Sequence, residues 1–351
     1  METAAALDAG LAFLAPYGPD LTNGMTSHAP MVIEALESLG RADAVGAWLE
    51  RYRSQLTPRP APREAIALEA WRAVLGREER TADWMALLRN ELTEAPWTEV
   101  LARWVARLAP GFCASATHGV LRVAHAARSL ARRETPLRRA ELADALGAWA
   151  ATYQTLPVPA RRSSGRLAAS EAIRAVPLQP AGERTFRGSI VSALAGLDGF
   201  APFAPVVDLL DVSGPPERAV SALTRTFAHV YLANARDVLG TIVFAHGVTS
   251  AAAVRSLLPY LDAGAAQELL RYAWQAGAAL YATFGSAPPI APESTAPPPA
   301  RAALAAAAVA HGDDHAIKLT EACLREHALA PDPVYLRVAE HALAALPPAR
   351  S

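Results

Sequence analysis

Apolar residues recur along this chain at intervals of three and four, and almost never in strict alternation. That spacing predicts helices near residues 4–14, 31–39, 42–52, 63–75, 82–92 and 97–108. Further helices are predicted through His118–Leu130 and near 136–153, 167–175, 186–197, 203–210, 217–232, 265–284, 300–311, 314–326 and 334–346. Ser27 reads as the N-cap of the second of these, so His28 falls at a helix start. The apolar segment from Thr241 is expected to end at His246-Gly247, with Thr249 or Ser250 capping a new helix, which puts His246 at a helix–helix junction. Pro58, Pro60 and Pro62 mark one linker and Leu156–Gly165 another, and Ser286–Pro299 reads as an exposed, mobile loop of low complexity. With no period-2 run and no repeat, the expected fold class is all-α: a single compact multi-helix domain over 1–351.

Composition narrows the class of partner. The chain is 52% hydrophobic and 19% charged, with a net charge of -1 and no basic block, so nucleic acid and membrane are not expected as partners. The Ala-rich run 302–310 is too short to span a bilayer. Two cysteines, Cys113 and Cys323, fit a reducing compartment better than a disulfide framework. The first residues lack the basic region of a secretory signal, and a cytoplasmic, soluble protein is expected.

Candidate chemistry concentrates late in the chain. In His311-Gly-Asp-Asp-His315-Ala-Ile-Lys318, positions 311, 315 and 318 share a helix face. Lys318 is the only lysine in a sequence that uses arginine for every other basic side chain. Arginine stays charged at any working pH, whereas a buried lysine can lose its proton and become a nucleophile. The bland alternative is a solvated i, i+4 pair of Lys318 with Asp314. Earlier, His118, Arg122 and His125 lie on one face of a helix rich in small residues. No phosphate-binding loop, dinucleotide fingerprint, nucleophile elbow, HExxH or Glu-x-x-His pair is present. Nine histidines without such a motif leave a His-rich mononuclear metal site as the chemical candidate. Several imidazoles with a hard oxygen ligand favour iron.

Four pieces together resemble the questin oxidase-like family: Ser27-His28-Ala-Pro-Met with Glu34-Ala-Leu, Thr117-His118-Gly-Val-Leu-Arg-Val-Ala-His125, His246-Gly-Val-Thr, and Asp313-Asp314-His315-Ala-Ile-Lys318. The resemblance implies an all-helical oxidoreductase, a non-haem iron oxygenase acting with O2 on an aromatic or polyketide-like small molecule by ring cleavage or Baeyer–Villiger-type insertion. It implies Fe(II) held by His28, His118, His246, His315 and a carboxylated Lys318, with NADPH as a possible reductant. A carbamate on a buried amine is an anionic oxygen donor that arginine cannot imitate. Arg122 stands where the fungal pattern has a second histidine, and Arg122 and His125 are taken as candidate catalytic residues. His229 and His311 join His125 as candidates for contact with the substrate. Two other readings remain: a metal-free, NADPH-dependent oxidase of the same family whose histidines act as acids and bases, and a non-catalytic scaffold whose histidines lie scattered.

Overall fold

A computed structural model describes residues 2–286, 288–289 and 297–349, with the side chains of 2–4 excepted. The expected loop over 286–299 lies largely outside the described residues. The fold is 69% helical with 3% strand, in one compact domain. In chain order the elements are α1 (Glu2–Leu14), β1 (Tyr17–Leu21), α2 (Ala29–Ser38), α3 (Val45–Tyr52), β2 (Leu56–Pro58), α4 (Thr81–Glu94), α5 (Trp97–Leu108), α6 (His118–Arg132) and α7 (Pro136–Ala151). They continue with α8 (Ala169–Ala172), α9 (Ile190–Ala195), α10 (Pro216–Asn234), α11 (Val238–Val254), α12 (Ala263–Phe284), α13 (Arg301–His311), α14 (Asp314–Leu329) and α15 (Pro333–Ala345).

Four helices form the centre. Helix α2 packs on α6, α6 on α11, α11 on α14, and α14 back on α2, which closes a ring. Around it, α7 covers α6, α10 and α12 cover α11, and α13 and α15 cover α14. The main core runs through α4–α7, α10–α12, α14 and α15, with Trp84, Trp104, Trp149 and Trp274 fully buried. A second core joins α1, α2 and α3 and takes in Ile317 of α14. The segment Val238–Tyr260 is apolar and long enough to cross a membrane, yet 67% of its window is buried inside the fold. An all-round apolar helix is what the centre of a large helical protein requires.

Several expected helices are corrected. Residues 63–75 do not wind into an α-helix; a 3₁₀ segment, Leu68–Val74, is all that forms. The carboxylate of Asp83 accepts the backbone N–H groups of Arg63 at 2.6 Å and Glu64 at 3.1 Å, which holds that stretch outside a helix. The helix at 203–210 is a 3₁₀ segment, Ala201–Asp208, because Pro205 sits inside it. Those at 167–175 and 186–197 shrink to α8 and α9 with 3₁₀ extensions. Leu167 instead makes a parallel bridge with Leu210, and Gly188 has φ +81°, outside a right-handed helix.

The expected break after His246 is also absent. Helix α11 runs through it, because the Thr249 hydroxyl donates back to the Ala245 carbonyl at 2.8 Å and does not cap a new helix. The expectation of no strand misses one short antiparallel pair, β1 with β2, in which Tyr17 faces Pro58 and Leu21 faces Leu56. Pro19 and Pro58 hide it from any period-2 reading. Its role is local: the Ser27 N–H donates to the Pro19 carbonyl at 2.7 Å, tying the pair to the entrance of α2.

Candidate metal centre

The ring of four helices brings five of the sequence-predicted residues to one place. His28 is the N-cap of α2, His118 the first residue of α6, His246 the middle of α11, and His315 and Lys318 lie in the first two turns of α14. The ligand atoms of His28, His118 and His315 lie within 4.8 Å of one another. His28 Nε2 is 2.7 Å from His118 Nε2, and His246 Nε2 is 3.2 Å from the same atom. The His315 ring centroid is 4.7 Å from that of His28 and 5.5 Å from that of His246.

What surrounds each imidazole decides its tautomer. His118 Nδ1 donates to the Ser115 carbonyl at 2.5 Å and His246 Nδ1 to the Ile242 carbonyl at 2.7 Å. Asp314 faces two rings at once, with Oδ2 2.8 Å from His28 Nδ1 and Oδ1 2.7 Å from His315 Nδ1. The His28 contact is close but bent, so it acts more through charge than as a straight hydrogen bond. A neutral imidazole whose Nδ1 carries the proton has only a lone pair at Nε2. With Nδ1 committed to a carbonyl, His118 and His246 turn the lone pairs of their Nε2 atoms towards each other, and the Nε2 of His28 lies beside that of His118. Lone pairs left facing one another in a buried site are unfavourable unless a cation joins them. Imidazoles bound at about 2.0–2.1 Å to a common metal stand about 3 Å apart, as these do. Carbonyls and a carboxylate on the far nitrogen are the usual support for metal-binding histidines.

The electrostatics agree. Burial, with the opposing pull of Asp314 and the push of Lys318, lowers His28 to about 4. Burial and the neighbouring histidines hold His118 and His246 well below the ordinary imidazole value. Burial lowers Lys318 to about 8, against the pull of Asp314 and Asp313. Burial works against ionisation of Asp314, but His28 and His315 outweigh it and hold the carboxyl well below its usual range. Lys318 is 5% exposed and makes no ion pair with any described residue. The solvated pair with Asp314 therefore does not form, because both Asp314 oxygens go to histidines.

Two supports escape sequence reading. Ser115, Ala116 and Thr117, immediately before His118, all have left-handed backbone, with φ of 48°, 54° and 73°. Left-handed conformation costs a non-glycine residue about 1–2 kcal/mol, so this loop stores strain to aim His118. The Thr26 and Ser115 hydroxyls, 2.7 Å apart, clip it to the entrance of α2. The Tyr52 hydroxyl accepts the backbone N–H of His28 at 3.0 Å and fixes that cap. No local sequence signal marks either; Asp314 was visible, but as a partner of Lys318.

The remaining candidates lie elsewhere. Arg122 pairs with Glu141, Nε and Nη2 donating at 2.6 and 2.8 Å. His125, two turns past His118, pairs through Nδ1 with Glu34 at 2.6 Å. His311 bonds the Leu346 carbonyl at 3.1 Å, and His229 lies on α10, outside the cluster. A comparison with curated proteins finds no match. The family model described as questin oxidase-like matches residues 28–323, from the first histidine of the cluster to a point beyond Lys318. With that match over most of its length, the chain belongs to the questin oxidase-like family, a group named for an oxidase.

Proposed function

We propose that the protein is a non-haem iron oxygenase that uses O2 on an aromatic or polyketide-like molecule. The observation that carries this is the convergence of three imidazole Nε2 atoms, with His315 and a buried lysine beside them. His28, His118, His246 and His315 would hold the metal through nitrogen, and Lys318, once carboxylated, through an anionic oxygen. Iron so bound would supply the O2 chemistry that no side chain offers.

The chain's own residues have defined tasks. Asp314 keeps the Nδ1 protons of His28 and His315 and so leaves their Nε2 atoms free. Ser115 and Ile242 do the same for His118 and His246 through their carbonyls. Burial makes the neutral amine of Lys318 accessible near pH 8, and a neutral amine is the form that adds CO2. Three helix N-termini, those of α2, α6 and α14, point at the site and favour an anion there, which suits a carbamate better than an ammonium.

Elemental analysis of the protein as purified is expected to find iron at about one atom per chain. Lys318→Arg is expected to lose most of it while remaining folded. Iron-free wild type that cannot be reconstituted with Fe(II), or full metal content in Lys318→Arg, would remove this reading.

A further inference from the structure

Two cavities share one wall residue, and one of them reaches the cluster at His118. The first, ≈ 280 Å³, is lined by His118, Gly119, Ser115, Thr26, Asp20 and Arg122 among others. The second, ≈ 300 Å³, is lined by Arg122, Glu141, Asp144 and Ser27 among others. Arg122 is 6% exposed, and its Nε and Nη2 are committed to the two oxygens of Glu141. That fork fixes the plane of the guanidinium. Its Nη1 is buried and has no acceptor among the described residues. An unmet buried donor is costly, so an acceptor is expected to reach it. Glu141 stands in the wall of the second cavity and not of the first. The guanidinium edge opposite Glu141 is thus the one left for the cavity that contains His118. His118 and Arg122 are i, i+4 on α6, one helical turn apart.

We propose that the His118 cavity receives the organic substrate and that Arg122 anchors it, Nη1 donating to a neutral carbonyl oxygen about one helical turn from the end of the molecule nearest His118. The ligand chemistry follows from the charges. Glu141 already neutralises Arg122, and Asp20 and Glu78 stand in the same wall, so the cavity has no positive excess with which to hold an anion. Glu141 is a positioning residue: both of its carboxylate oxygens are spent on the guanidinium it orients. Assigning the occupant as substrate rests on the oxygenase reading, but the binding itself does not.

The test uses three bicyclic probes of similar size: tetralin, which has no oxygen, 1-tetralone, which has one carbonyl, and 1-naphthoate, which is anionic. Calorimetric titration of wild-type protein is expected to give 1-tetralone at least tenfold tighter than tetralin, with 1-naphthoate weaker than 1-tetralone. Arg122→Met combined with Glu141→Met removes both charges together and is expected to erase the preference for 1-tetralone. Arg122→Lys keeps a charge but loses the fork, and is expected to reduce the preference several-fold. Equal binding of tetralin and 1-tetralone to wild type, tighter binding of 1-naphthoate, or a preference that survives in the double variant would each overturn the proposal. Metal content measured on the same samples separates the two readings. A carbonyl preference in protein that binds no metal would sink the oxygenase and leave the anchor, and a missing preference with iron in place would do the reverse.

Discussion

Asp314 is the residue on which the cluster turns, because one carboxylate orients two rings. Asp314→Asn keeps the shape but removes the charge and presents an amide to at least one Nδ1. The affinity for divalent metal is expected to fall by roughly 10- to 100-fold, measured by competition with a chromophoric chelator. Unchanged affinity would mean that the backbone alone sets the tautomers. Lys318 makes the opposite kind of prediction. Its folded value of about 8 lies below the ordinary 10.5, so between these pH values the unfolded chain holds more protons than the folded one. The stability of chelator-stripped protein is therefore expected to gain from Lys318 as pH rises from about 8 to about 10.5, and to lose that gain on the way down. At pH 7 Lys318→Met should stabilise the stripped protein, by at most about 3 kcal/mol, while abolishing metal binding. Urea titrations of both proteins at pH 7 and pH 10 check the sign. A destabilised Lys318→Met at pH 7 would show that the ammonium is better solvated than its burial implies.

At the scale of elements, the site depends on how closely α6 can approach α7. A Cβ on Gly119 would lie 2.6 Å from the Trp149 ring, and Trp149 is itself anchored by its indole N–H to the Gly111 carbonyl at 2.8 Å. Gly119→Ala is expected to destabilise the protein by about 1–3 kcal/mol and to weaken metal binding as well, since His118 is the adjacent residue. Loss of stability without loss of metal affinity would uncouple the helix seat from the ligand. The same helices show what a sequence reveals. The histidine ligands are named by the family resemblance and not by any local spacing, whereas Lys318 stands out in the sequence itself as the single lysine. His246 was legible as a residue but misplaced at a junction: glycine followed by Thr249 and Ser250 imitates a stop and a cap. The Thr249 back-bond and packing on α6, α10, α12 and α14, neither visible in the sequence, go with a continuous helix. The left-handed turn at 115–117 had no signal, because none of its residues is glycine. Its conformation is held by the bonds of the Thr117 N–H to the Cys113 carbonyl and of the His118 N–H to the Ser115 carbonyl, and by Thr26 at the entrance of α2.

On the scale of the molecule, a second polar layer lies below the histidines and fixes the register of all four central helices. Glu34 of α2 accepts from His125 and Arg128 of α6 and from Arg132, at 2.6, 2.8 and 2.5 Å. Arg128 also donates to Glu321 of α14 at 2.6 Å, Arg325 bridges Glu321 to Glu326, and Arg255 at the end of α11 reaches Glu326 at 2.7 Å. Burial alone would raise the Glu34 carboxyl, but Arg128 and His125 outweigh it and hold it well below the usual range. A carboxyl lowered in this way contributes stability at pH above its ordinary 4.5, which is lost as pH falls below it. Glu34→Gln takes from the largely buried Arg128 one of its two carboxylates, leaving Glu321, and from the exposed Arg132 one of two, leaving Glu37, which is expected to cost about 1–3 kcal/mol at pH 7. Its stability should then fall less steeply than that of wild type as the solution is acidified. Because Glu34 lies six residues past His28 and Glu321 three past Lys318, slackening this layer should also loosen the ligands above it. Weaker metal binding is the expected second readout. Asp43→Ala, which breaks an exposed pair with Arg41, serves as the control and should change neither stability nor metal affinity measurably. If Glu34→Gln lost stability yet held metal as tightly as wild type, the histidine cluster would be positioned by its own caps and carbonyls, and the ionic layer would serve the fold alone.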